Sequence, residues 1–165
     1  LVALATPTVQ FCKQQHIPCI INDDAEAAAL LQADGVHVGQ SDCSIQQARA
    51  ILGKSACIGV SAHNLEEARM AQQGGADYIG CGAVFGSATK QDATPLSKET
   101  LRAICQGVSI PVVAIGGITA QNVQQLAGSG IQGIAVVSAI FGQPDQTEAA
   151  RQMHQLANQV CGGTQ

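Results

Sequence analysis

Two aspartates open the chemical reading of this chain. Asp23 follows the short apolar run Pro18-Cys19-Ile20-Ile21, and Asp42 follows a second run, Gly35-Val36-His37-Val38. An Ala-rich helical stretch, Ala25 to Gln32, lies between the runs. A strand–helix–strand unit of this kind is right-handed, with parallel strands side by side. Both carboxylates are then expected at one C-terminal sheet edge, where they would repel each other. A hard divalent cation such as Mg²⁺, shared with a phosphorylated ligand, would neutralise them. The alternative is that each acid only caps the helix after it. Capping is the expected role of Asp24.

Further polar groups recur at strand ends. Gly116-Gly117-Ile118-Thr119 sits between an apolar run and a helical pattern, and Val137-Ser138-Ala139 ends the next run. Glycine lets backbone approach a phosphate, and a helix start offers unpaired N–H groups. Loops after the last two strands of a (β/α)₈ barrel commonly bind phosphate; a lone Gly-Gly could equally be a tight turn. Ser87, Thr89 and Lys90, within Phe85-Gly86-Ser87-Ala88-Thr89-Lys90, could coordinate phosphate oxygens. His37, mid-strand, reads as a hydrogen-bonded structural histidine, and His63 as a solvated turn residue. No nucleophile–base pair of the hydrolase kind is visible.

The elements that must position these groups alternate regularly. Strands are expected from about 19, 35, 56, 77, 111 and 133, with helices between them. A helix over 4–15 precedes them, Ser44 with Gln47 and Asn64 with Glu67 form capping boxes, and Thr119 caps a helix over 120–128. The fifth strand ends at Ile115, the sixth runs 133–137, and Asp145 opens the final helix. Irregular chain spans Gly82 to Pro95. The pattern is a parallel sheet covered by helices, either an open doubly wound sheet or a partial barrel. No Gly-rich loop follows the first strand, and polar groups follow every strand, which favours the barrel rim.

Composition narrows the function classes. The 165 residues are 46% hydrophobic, 12% charged and 2% aromatic, with net charge −4. One domain covering 1–165 is expected. No basic stripe suggests nucleic acid, and no apolar run approaches the ~20 residues that cross a bilayer. Seven cysteines without a CxxC pair read as small buried hydrophobes of a reducing cytoplasm.

In order, IINDD, GVHVGQSD, IGVSAHNLEEA, GADYIGCGAVFGSATKQD, IPVVAIGGIT and GIAVVSAIF resemble the thiamine phosphate synthase family from about residue 12 to 150. The resemblance implies a (β/α)₈ TIM barrel lacking its first two strands here. It implies a transferase joining a hydroxymethylpyrimidine diphosphate to a thiazole phosphate, with pyrophosphate released. Asp23 and Asp42 would bind Mg²⁺. Asn22, Ser61 and Lys90 would hold the pyrimidine diphosphate, with Ser61 and Lys90 catalytic. Ser87, Ala88 and Thr89 would line the thiazole phosphate site, closed by Gly117, Val137 and Ser138. Partners would be phosphorylated small molecules, with no nucleic acid or membrane.

Departures from the family pattern are Ser87 for Thr, Gly86-Ser87 for Pro-Thr, Ala83 for Pro, and the absence of the Gln-x-Arg-x-Lys strand. Alternatives are a thiazole tautomerase, which carries His at position 83, and a non-catalytic phosphate-binding fragment. With strands 19–22 and 133–137 as open edges, the chain alone is expected to be unstable, aggregation-prone or a homo-oligomer, and inactive.

Overall fold

The computed structural model describes residues 1–86 and 95–161. Helix α1 (Val2–Gln14) leads into strand β1 (Ile20–Asn22). There follow α2 (Ala25–Leu31), β2 (Gly35–Val38), α3 (Ile45–Leu52), β3 (Cys57–Ala62), α4 (Leu65–Gly74) and β4 (Tyr78–Cys81). The rest comprises α5 (Lys98–Gly107), β5 (Val112–Ile115), a 3₁₀ helix (Val123–Leu126), β6 (Gly133–Ala135), α6 (Ser138–Phe141) and α7 (Gln146–Val160).

All strand pairs are parallel, and the sheet order follows the sequence from β1 to β6. The sheet curls into a half-barrel with its helices outside, and β1 and β6 are its edges. Alternation along each strand divides the residues between two faces. Val36, Ile58, Ile79 and Ala114 face the helices and are fully buried there, against a layer that includes Ala28, Ala48, Ala68 and Ile104. Small alanines let helices lie close on the strands. The other set, including His37, Gly59, Ser61, Tyr78, Gly80 and Ile115, lines the concave face. Ile115 remains 43% exposed there.

Local chemistry sets most helix starts. Ser44 accepts from the Gln47 N–H while the Gln47 side chain accepts from the Ser44 N–H, the expected capping box. Asp24 accepts from the Ala27 N–H at 2.8 Å, as expected of a cap. Asp145 does the same for Glu148 at 2.9 Å. Asn64 caps α4, but Glu67 returns its carboxylate to the His63 N–H and the Asn64 amide, so the box is displaced by one residue.

The segment after β5 differs from expectation. No helix spans 120–128; one 3₁₀ turn forms, and Thr119 is not its cap. Asn122 is the cause. Its side chain accepts from the Thr119 N–H and donates to Gly117 O, both at 2.8 Å, competing with helical bonding. The sixth strand also stops early, at Ala135, because Ser138–Phe141 turns into a short helix.

Candidate active site

The polar groups singled out in the sequence follow the C-terminal ends of these parallel strands. Asn22 is the last residue of β1 and is exposed. Asp23 comes next, with φ 68°, in the left-handed region that Asp tolerates better than most residues. Its backbone N–H donates to His37 O at 2.7 Å, extending the β1–β2 pairing by one bond before the chain turns away. Asp42 lies in the loop after β2, and its Oδ2 accepts from the Gly39 N–H at 2.7 Å. Both carboxylates act electrostatically on the His37 imidazole, raising its protonation equilibrium against burial.

Ser61 is the next position. Its Oγ lies 2.9 Å from His37 Nε2, and its carbonyl accepts from the Gln40 amide at 2.6 Å. The other ring nitrogen, His37 Nδ1, is 3.0 Å from the Tyr78 hydroxyl. Burial lowers the His37 protonation equilibrium, while Asp23 and Asp42 pull it upward, and the lowering prevails. Burial, aided by the Cys57 thiol, pushes the Tyr78 phenol up to about 12. Both rings occupy space left by glycines: a Cβ at Gly59 would overlap the Tyr78 ring, and one at Gly80 would lie 2.7 Å from the His37 ring. The structural reading of His37 holds. Tyr78 escaped the sequence reading; its partner is distant in the chain, and only the glycines facing it hint at a ring there.

At β5, Gly116 and Gly117 have φ of 100° and 64°. Their lack of side chains admits the loop after β4. A Cβ at Gly116 would sit 2.5 Å from Ala83 Cβ, and one at Gly117 would sit 2.7 Å from Gly86 O. That loop is tied down by Val84 N–H to Ile115 O at 3.0 Å and Phe85 N–H to Gly116 O at 3.1 Å. Val137 is 69% exposed, and Ser138 begins α6 after β6. Ser87, Ala88, Thr89 and Lys90 lie outside the described residues. Asn22, Asp23, Asp42, Gly117, Val137 and Ser138 therefore follow, or end, strands at the C-terminal side of the sheet, and Ser61 lies one residue before the end of β3.

A cavity of about 380 Å³ between α3 and α4 takes in Asp42 but none of Asn22, Ser61 or Gly117. Among the described residues, no group of three His, Cys, Asp or Glu side chains could hold a metal ion.

The family model for thiamine monophosphate synthase matches residues 1–140. The thiamine-phosphate synthase of Ruminiclostridium cellulolyticum is 51% identical over 86% of this chain and 67% of that protein. That of Methanobrevibacter smithii is 49% identical over 84% of this chain and 66% of that protein. The chain belongs to the thiamine monophosphate synthase family. It spans about two thirds of the length of these relatives. The fold agrees with this membership. The solved thiamine phosphate pyrophosphorylase from Pyrococcus furiosus superposes with a TM-score of 0.88 at 35% identity, over 98% of this chain and 77% of that one. A 3-hexulose-6-phosphate synthase from Salmonella typhimurium, 22% identical with a TM-score of 0.73, shares the fold alone. The homologous enzymes are transferases. Among the described residues, no helix of this family member is long and apolar enough to cross a membrane.

Proposed function

We propose, against the expectation that the chain alone is inactive, that this chain, as one domain, carries out the reaction for which its relatives are named, as a cytoplasmic thiamine-phosphate synthase. The substrates are a hydroxymethylpyrimidine diphosphate and a thiazole phosphate, and the products are thiamine phosphate and pyrophosphate. What supports this reading is that Asn22, Asp23, Asp42 and Ser61 fall at or near the C-terminal ends of β1, β2 and β3, with the Gly116-Gly117 turn after β5.

The chemistry needs a leaving anion to be held while positive charge develops on a CH₂ attached to an electron-rich pyrimidine. The Asn22 amide and Ser61 hydroxyl donate to the diphosphate, and Lys90 supplies a fixed positive charge to it. The oxygen donors Asp23 and Asp42 fit Mg²⁺, which is usually held by one or two carboxylates together with substrate phosphates and water. Bound there, Mg²⁺ would neutralise the departing pyrophosphate. On the other side, the Gly117 and Ser138 backbone N–H groups orient the thiazole phosphate, with Ser87, Ala88, Thr89 and Val137 lining its site. The thiazole nitrogen is itself the nucleophile, so no strong general base is required. Position 83, where the tautomerase reading needs a histidine, is Ala83 here.

The test is formation of thiamine phosphate from both substrates, with Mg²⁺ and with chelator. Lys90→Ala should lower kcat far more than it raises the KM for thiazole phosphate. An unchanged kcat would remove Lys90 from the leaving-group role.

A further inference from the structure

Three side chains from β2, β3 and β4 form a hydrogen-bonded row across the middle of the concave face: Tyr78, His37 and Ser61. We propose that Tyr78 and His37 are positioning residues that leave the Ser61 hydroxyl hydrogen free for substrate. The Tyr78 O–H donates to His37 Nδ1, His37 Nε2–H donates to Ser61 Oγ, and the Ser61 O–H points to a diphosphate oxygen. This rests on the reading of Ser61 as a ligand of the pyrimidine diphosphate.

A neutral imidazole has one N–H, so the row has two wirings. In the other wiring Ser61 spends its hydrogen on Nε2 and presents only lone pairs to an incoming anion. Chemistry favours the first. A phenol is a better donor than an aliphatic alcohol, and an imidazole nitrogen is a better acceptor than a phenol oxygen. Tyr78 remains a protonated donor at neutral pH. Neighbouring groups also hold the row in place. Gly59 and Gly80 seat the two rings, which stand 5.4 Å apart and 36° from parallel. The Gln40 amide fixes the Ser61 carbonyl at 2.6 Å. A hydroxyl held this way needs no reorientation when the anion arrives.

The experiment combines ¹⁵N-histidine NMR with kinetics of the full chain. His37 should be the Nε2–H tautomer, and Tyr78→Phe should shift it toward Nδ1–H. Tyr78→Phe should raise the KM for the pyrimidine diphosphate about tenfold, as for a lost hydrogen bond to a charged group, with the thiazole phosphate KM within about twofold. Ser61→Ala should do at least as much, and the double variant should be no worse than Ser61→Ala alone. An Nδ1–H tautomer or an imidazolium in the unaltered protein overturns the proposal, as do additive effects in the double variant. An unchanged pyrimidine diphosphate KM in Ser61→Ala overturns the reading of Ser61 itself, and the proposal with it.

Discussion

Asp77 and Ile58 hold each other twice. The Asp77 backbone N–H donates to Ile58 O, and the Ile58 N–H donates to Asp77 Oδ2, both at 2.7 Å. The same two-way clasp joins Asp34 to Cys19 and Gln132 to Val112. Each clasp closes the N-terminal end of one strand pair: β1–β2, β3–β4 and β5–β6. The half-barrel is thus three fastened doublets, and the fastenings lie at the end of the sheet away from the candidate active site. Arg49 reinforces the middle one with a 2.9 Å ion pair to Asp77.

Asp77→Ala should destabilise the protein by about 1–3 kcal/mol, because the Ile58 N–H loses its side-chain acceptor. Asp77→Asn keeps an acceptor oxygen and should cost less. Urea unfolding of both variants checks this. Equal losses would assign the effect to the Arg49 ion pair.

Gly117→Ala should weaken thiazole phosphate binding even though it adds no charge. The new Cβ would lie 2.7 Å from Gly86 O and 2.8 Å from Phe85 O, at a φ of 64°. The loop after β4 would have to withdraw from the turn. A rise in the thiazole phosphate KM, with a smaller rise for the diphosphate, is the expected kinetic pattern.

Asp23→Asn and Asp42→Asn should each raise the Mg²⁺ concentration needed for half-maximal activity by about tenfold, since each removes one anionic oxygen donor from a hard-cation site. Mg²⁺ titration of turnover measures it, and an unchanged titration would dismiss the metal role.

Acidification should destabilise the fold in two stages. His37 is held below its ordinary 6.5, mainly by burial against the pull of Asp23 and Asp42. A lowered histidine resists protonation in the folded state. Its stability contribution is complete above 6.5 and is lost as pH falls below that value. Glu67 acts lower. Burial pushes it up, but hydrogen bonds from His63 and Asn64, and the His63 charge, hold it below its ordinary 4.5. Its contribution disappears as pH falls from 4.5 through the lowered value. Thermal melting between pH 7 and 5 should show a slope that His37→Gln reduces, and below that a slope that Glu67→Gln reduces.

Where the sequence was legible, the determinants were local. Alternating runs such as Gly35–Val38 and Tyr78–Cys81 announce strands, and Ser44 with Gln47 announces a helix start. The six-strand order follows because parallel strand–helix–strand units leave little choice of topology. The 120–128 stretch misled because Asn122 prefers backbone partners at 117 and 119, a choice set by the folded turn before it. The row through Tyr78 was not legible for a related reason: 41 residues separate it from His37, and only strand register brings the two together.

The seat of the Tyr78 ring has a consequence for how this sequence can change. Gly59 and Tyr78 share one volume, with the whole of it assigned to the second. Any side chain arriving at 59 meets a ring already in place, and a smaller residue arriving first at 78 leaves a void and an unpartnered imidazole nitrogen. Each single step therefore descends before a double step recovers. The two positions are therefore expected to change together. In a library that randomises both, survivors should pair a small residue at one position with a large one at the other.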